Sequence, residues 1–261
     1  MALQSSGAIS FANIQTEFGG SNPISLSEYY QAGTYVSEHS STVPTSGTID
    51  LADFYGTEKA VRIVISSNTT NYNILTEATS AGYDNSVAQP IVIIVNSGVD
   101  VSGTTNNHAM RTGALHQDTD VLIIVNGTIS GGYGSTNNNG ADAVYFETDT
   151  GGSGTHEVRN NGLIRSGGGG AGSAGIHRPY EEDAESGATS CGSPVTGSAG
   201  STGAYGANGT GGSYHASRTT DDTQNCAHTS PGGGGYAGYA VRKNSRTVST
   251  TGSGTYTGTV G

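Results

Sequence analysis

The chain has 261 residues, of which 33% are hydrophobic and 43 are Gly, with no Trp and only 4 Phe. Ordinary domains are about 45–50% apolar, so side chains alone cannot fill a core of this length, and backbone must pack against backbone somewhere. A formal charge of -11 with 10 Lys and Arg repels phosphate backbones rather than releasing their counterions, which argues against a nucleic-acid partner. No stretch approaches the roughly 18 apolar residues of a membrane span, and Met1-Ala2-Leu3-Gln4 begins neither a basic region nor an apolar run, so neither membrane insertion nor an export signal is expected.

The first 60 residues carry an internal repeat. Ile9-Ser10-Phe11-Ala12-Asn13-Ile14, Ile24-Ser25-Leu26-Ser27-Glu28-Tyr29 and Ile49-Asp50-Leu51-Ala52-Asp53-Phe54 share an apolar residue, a capping residue and two apolar positions three apart. Each predicts a short helix capped by Ser10, Ser25 or Asp50. Gly7, Gly19-Gly20, Gly47, Pro23 and Pro44 break the chain between them. Three such turns bury too little to stand alone, so residues 1–60 are expected either to dock on another protein or to cap this chain's own body.

Residues 61–166 predict buried strands. Val61–Ile65, Ile91–Asn96 and Val121–Asn126 are β-branched runs repeated every 30 residues, and Val158–Arg165 is a weaker fourth copy. Equal spacing suggests stacked rungs of a β-solenoid whose long insertions, 103–118 and 131–157, project to one side. A β-sandwich with long loops fits the same runs.

From residue 167 to 261 glycine recurs with a period of three: Gly169, Gly172 and Gly175; Gly197, Gly200, Gly203, Gly206, Gly209 and Gly212; Gly232, Gly235 and Gly238. A polyproline II helix has three residues per turn, so this spacing leaves one face bare, and bare faces let backbones touch. Such helices have no internal hydrogen bonds, and their buried N–H and C=O groups must pair with neighbouring helices. The expected fold is mainly β plus packed polyglycine II helices, with a collagen triple helix and a flexible linker as competitors. Collagen needs abundant Pro, which the six-glycine run lacks. A linker does not explain the period.

Between the glycine runs lie two chemically diverse inserts, Ile176–Glu185 and Ser213–Asp222. Extended helices running back and forth would gather them as turns at the ends of a bundle, where loops on a rigid frame carry binding. Arg178, Tyr180, Glu181, Glu182, Tyr205, Tyr214, His215 and Arg218 are the candidate contacts, because Tyr and Arg offer large area and forked donors. Cys191 and Cys226 have no CxxC spacing, and a loop-closing disulfide between them is one reading. Gly233, Gly235 and Gly238 satisfy GxGxxG, yet they follow Pro231 with neither a strand before nor a helix after. Glu181, Glu182, Asp183 and Glu185 read as a solvated acidic face before they read as the paired carboxylates of a glycan depolymerase. His39, His108, His116, His156, His177, His215 and His228 show no HxH or HExxH spacing. No metal site, no cofactor and no enzymatic activity are expected.

Asn161-Gly162-Leu163-Ile164-Arg165-Ser166-Gly167-Gly168-Gly169-Gly170-Ala171-Gly172 leads into glycine runs parted by inserts, and Gly232 through Gly238 lead into Tyr239-Ala240-Val241 and a Ser/Thr-rich end. Over roughly residues 155–261 this resembles the distal tail-fibre adhesins of T-even-type phages. The resemblance implies a sandwich of polyglycine II helices at the fibre tip of the virion, outside the cell, whose variable loops, here 176–189 and 213–229, recognise bacterial outer-membrane proteins or surface glycans. Residues 1–60 depart from those adhesins. Through Ser6-Gly7-Ala8-Ile9-Ser10 and Phe18-Gly19-Gly20 they resemble an N-terminal module of other phage tail and structural proteins, which implies docking on another tail-fibre or virion protein. A structural virion subunit or self-assembling filament, with homo-oligomers, is the alternative.

Overall fold

A computed structural model of the chain describes residues 2–147, 151–177, 180–182, 189–191, 194–213 and 229–261. Near its start lie helix α1 (Phe11–Phe18) and two single 3-10 turns, Leu26–Tyr29 and Leu51–Phe54. Each is preceded by its expected cap in extended backbone. Reciprocal bonds satisfy the donors that a helix start leaves open. Asn13 N donates to Ser10 Oγ at 3.3 Å and Ser10 N to Asn13 Oδ1 at 2.9 Å. Ala52 N donates to Asp50 Oδ1 and Asp50 N to Asp53 Oδ2, both at 2.9 Å. The apolar positions of the repeat meet in one small core of Ile14, Phe18, Tyr29, Val36, Val43 and Phe54. This unit also contacts the body of the chain. Arg62 Nη2 donates to Glu38 Oε1 at 2.9 Å, Lys59 N to Glu17 Oε1 at 2.9 Å, and His39 Nε2 lies 3.5 Å from Asp120.

The chain then passes through three sheets in the same order five times. The first circuit is β1 (Val61–Ile65), β2 (Thr69–Thr70) and β3 (Tyr72–Asn73), followed by α2 (Ile74–Ser80). The second is β4 (Ile91–Val95), β5 (Asp100–Ser102) and β6 (Met110–Arg111); the third is β7 (Val121–Val125), β8 (Thr128–Ser130) and β9 (Val144–Tyr145). The fourth opens with β10 (His156–Asn160) and β11 (Leu163–Arg165). It is then interrupted by the glycine-rich segment, in which lie β12 (Ile176–His177), β13 (Tyr180–Glu182), β14 (Thr189–Cys191) and β15 (Val195–Thr196). It is completed by β16 (Tyr239–Arg242), and the fifth is β17 (Val248–Thr251), β18 (Thr255–Thr257) and β19 (Thr259–Val260). The sheets are β1-β4-β7-β10-β17, β2-β5-β8-β11-β18 and β3-β6-β9-β16-β19. Their strands pair in parallel, unlike the antiparallel pairs of a sandwich. Residues 239–261, which the sequence groups with the glycine runs, thus lie on the same sheets as residues 61–166.

Register explains the apolar runs. Ile63, Ile93, Ile123 and Val158 stand in one inward rank. The outward Val92, Ile94, Leu122 and Ile124 are also buried, so β4 and β7 read as unbroken apolar runs, as strands covered on both faces do. At the corner between the second and third sheets the insertions grow circuit by circuit, from Asn71 alone to 103–109, 131–143 and 166–238, while residues 74–90, with α2, fill the corner between the third sheet and the first, so the expected insertions 103–118 and 131–157 each span two corners rather than one side.

An asparagine ladder ties these corner layers together. Asn71, Asn106 and Asn137 have φ of 52°, 62° and 63°, the left-handed conformation that Asn tolerates better than most residues. Each Oδ1 accepts from a backbone N–H one layer on: Thr104 N at 2.9 Å, Ser135 N at 2.8 Å and Ser173 N at 2.8 Å. Each Nδ2 donates to the hydroxyl of that same residue.

The last layer is the glycine frame. Run 166–175 is its centre, and its bonds repeat every three residues. Carbonyls of Ser166, Gly169, Gly172 and Gly175 accept from N–H groups of Gly206, Gly203, Gly200 and Gly197; those of Gly167, Gly170 and Ser173 accept from Gly238, Gly235 and Gly232. The N–H groups of Gly169, Gly172 and Gly175 donate to Ala207, Thr210 and Ser213, and those of Gly167 and Gly170 to Ala141 and Asn138. Gly134 and Asn137 donate to Gly168 and Ala171. The centre is therefore bonded to runs 134–137, 138–141, 197–206, 207–213 and 232–238. A Cβ on Gly169, Gly172, Gly200, Gly203, Gly209, Gly212, Gly235 or Gly238 would stand closer than 3.0 Å to backbone of a neighbouring run.

Candidate functional site

The frame brings the two inserts to one end. Gly197 N donates to Gly175 O at 2.7 Å and Gly175 N to Ser213 O at 3.2 Å, while Ile176 and Thr229 exchange bonds of 2.8 and 3.0 Å. The first insert rises from this end as a ribbon, with β12 antiparallel to β15 and β13 to β14. Tyr180 is paired with Cys191, Glu181 with Ser190 and Glu182 with Thr189. Arg178, Tyr214, His215, Arg218 and Cys226 lie outside the described residues, and so does any bond between Cys191 and Cys226.

Tyr205 sits elsewhere. It belongs to the turn at the opposite end of the frame, where Ala207 N donates to Ala204 O at 2.9 Å and Gly206 has φ 73°. Its ring is 4.6 Å from that of Tyr133, and the Arg165 guanidinium lies 3.9 Å over it. Arg165 Nε in turn donates to Ser130 Oγ at 2.9 Å. These contacts fasten the root of the frame to β8 and β11.

The other root, where the chain returns to the sheets, is held by Asp142, whose side chain is 2% exposed. It accepts from Tyr239 N at 2.6 Å and from Arg242 Nε at 2.6 Å and Nη2 at 3.1 Å, with His108 Nδ1 at 3.3 Å. His108 stacks on Tyr145 at 4.2 Å. Burial pushes the His108 imidazole below its ordinary pKa, more than the Asp142 charge raises it. Burial works against the Arg242 charge, but the bonds to Asp142 outweigh it and hold its pKa above the usual value. Arg242 and Asp142 are a hundred positions apart in sequence, so no spacing signal marks the pair. Among the described residues no group of three or more His, Cys, Asp or Glu is placed to hold a metal ion, and no helix is long and apolar enough to cross a membrane.

A strand stack carries a frame bonded through its backbone, and both inserts leave that frame at its far end, as loops do on a rigid scaffold. The chain belongs to the phage tail fibre adhesin Gp38 family, whose model matches residues 60–261. It is an adhesin of the phage tail fibre, carried outside the cell on the virion tail. The match begins beside β1 and takes in the strands as well as the glycine runs, well upstream of residue 155, and residues 1–59 fall outside it. The chain is also similar to a chain in the crystal structure of the gp37-gp38 adhesin tip complex of the bacteriophage S16 long tail fiber, with 19% identity over 98% of this chain and 99% of that one and a TM-score of 0.44. No curated protein matches.

Proposed function

We propose that this adhesin binds a host-cell receptor, an outer-membrane protein or a surface glycan, through the two inserts at the far end of the frame. The contacts are Arg178, Tyr180, Glu181, Glu182, Tyr214, His215 and Arg218. The observation that carries this reading is the set of backbone bonds among Gly175, Ile176, Gly197, Ser213 and Thr229, which brings both inserts to one place. Tyr205 is left out, because its ring is engaged by Tyr133 and Arg165 at the root.

The glycine runs are read as packed polyglycine II helices. A β-strand bonds to two neighbours at most, since its donors alternate between two opposite edges. A run bonded to five neighbours with a period of three needs the directions of a threefold helix. Residues 61–166 with 239–261 are read as a β-solenoid, in which each circuit buries its inward side chains against the next. Residues 1–60, with their own core, are the attachment module for another tail-fibre protein. The protein works without a cofactor and without a catalytic step.

The test is fluorescent purified protein on a panel of bacteria, beside a variant with Tyr180, Tyr214 and Arg218 changed to Ala. Selective binding by the parent and its loss in a variant with unchanged circular dichroism is the expected result. Undiminished binding by the folded variant would overturn the placement on the inserts.

A further inference from the structure

The flank of the frame holds a second surface, along the runs 207–213 and 232–238 that lead into and out of the second insert. Tyr236 is 69% exposed, more than any other exposed large hydrophobic residue among those described, yet its backbone is held on both sides. Its N–H donates to Asn139 Oδ1 at 2.9 Å, and its carbonyl accepts from Gly140 N at 2.7 Å. Ala237 N donates to Asn208 Oδ1 at 2.8 Å. Both asparagines are exposed, and with each Oδ1 engaged, the group left to a ligand is the Nδ2 amide, a donor of two hydrogens.

The period of three puts Gly233 on the same face as Tyr236. Among the described residues a Cβ on Gly233 would meet nothing within 4 Å, and one on Gly211 would come no nearer than 3.6 Å to Gly232 O and 3.9 Å to Gly233 Cα. These two adjoining glycines are bare and open, whereas Gly235 and Gly209 are closed by neighbouring backbone. Around them stand one aromatic ring and two amides, without a charged side chain among the five residues.

We propose that Gly211 and Gly233 pave a shelf that takes a neutral hexopyranose, stacked on the ring of Tyr236 and hydrogen-bonded by the amides of Asn139 and Asn208. A pyranose has an apolar C–H face and a rim of hydroxyls. The ring suits the first and the amide donors suit the second. Acidic sugars are disfavoured, because none of these five residues is cationic and the whole chain carries -11. The shelf rests on the adhesin reading only in that a surface sugar is what an adhesin meets; its five residues lie outside both inserts.

The experiment is saturation-transfer NMR on the full chain with methyl glucopyranoside, methyl galactopyranoside and methyl N-acetylglucosaminide. At least one glycoside should receive saturation on its ring protons. Tyr236→Ala should weaken that binding by about tenfold, the upper range for an aromatic contact. Gly233→Val, which the open space accommodates, should abolish it with the melting midpoint unchanged, and Tyr236→Phe should keep it. Absence of transfer from all three sugars, equal loss in Tyr236→Phe, or undiminished transfer in both Tyr236→Ala and Gly233→Val would each overturn the proposal. Because the readout uses free sugar, failure of cell binding through the inserts leaves it unaffected.

Discussion

Gly235→Ala and Gly233→Ala differ by two positions in one run and should differ sharply in stability. A methyl group on Gly235 would stand closer than 3.0 Å to the carbonyl carbon and oxygen of Asn138 and 2.9 Å from Asn139 N. These are backbone atoms of a neighbouring run, so relief requires the runs to part. Parting strains two bonds of the buried Gly235: its N–H to Gly170 O and Gly209 N–H to its carbonyl, both 2.9 Å. Leaving buried backbone groups without partners costs about 1–3 kcal/mol each, so two bonds give about 2–6 kcal/mol. The lower entropy of unfolded alanine offsets at most about 1 kcal/mol of this. In a chain this long about 1 kcal/mol moves the melting temperature by about 2–4 °C, so Gly235→Ala should melt about 2–24 °C below the parent. Gly233→Ala, with open space around it, should melt at or slightly above the parent. Thermal melts followed by circular dichroism make the comparison. Equal midpoints for the two variants would refute backbone contact as the basis of the glycine period.

Asn106→Ala removes both rungs to Ser135 and places Ala at φ 62°, and should cost about 1–3 kcal/mol in urea unfolding; Asn106→Gly, which keeps the backbone conformation, should cost less. Asp142→Asn leaves Arg242 without its charged partner and should destabilise by about 1.5–3 kcal/mol, with faster amide exchange at Tyr239 as the local signature. His39 and His108 are both pushed below their ordinary pKa by burial, so the unfolded chain binds their protons at a higher pH than the folded one. Their contribution is fully present above about pH 6.5 and falls as pH drops toward the depressed folded values. Urea midpoints at pH 7.5 and 5.5 should therefore separate, and less so in a His39→Gln, His108→Gln double variant.

Much of this architecture is legible in the sequence because its physics is local or periodic. The caps Ser10, Ser25 and Asp50 act within three residues of themselves. The runs at Val61, Ile91 and Val121 lie 30 residues apart because each circuit returns to the same register. The fourth copy at Val158 is fainter, since Asn160 stands in the rank of Val95 and Val125. The fifth circuit is illegible: β17 pairs with β10 only after the whole glycine insertion has intervened, and its Ser249-Thr250-Thr251 carries no apolar pattern. The asparagine ladder did leave a signal, in Thr104-Thr105-Asn106-Asn107 and Ser135-Thr136-Asn137-Asn138, which hydropathy alone passes over. Tyr205 illustrates the converse. A lone tyrosine among glycines suggests an exposed contact, while its partners Tyr133 and Arg165 are brought to it only by the folded corner. Tyr236 stands in a glycine run that carries no sequence mark of a site; its exposure and the space at Gly233 set it apart only in the folded chain.

The glycine frame leaves the strand stack at Ser166 and rejoins it at Tyr239, and these two roots are joined by the bond from Gly238 N to Gly167 O. A tip hung on one root would swivel under tension; a tip hung on two bonded roots cannot turn about either. With a receptor held at the inserts, as proposed, a pull at the far end would be resolved along the runs as shear. It would be divided among many parallel hydrogen bonds before it reaches the sheets. Asp142–Arg242 at one root and Arg165–Tyr205 at the other are the side-chain contacts that moor the frame to the sheets.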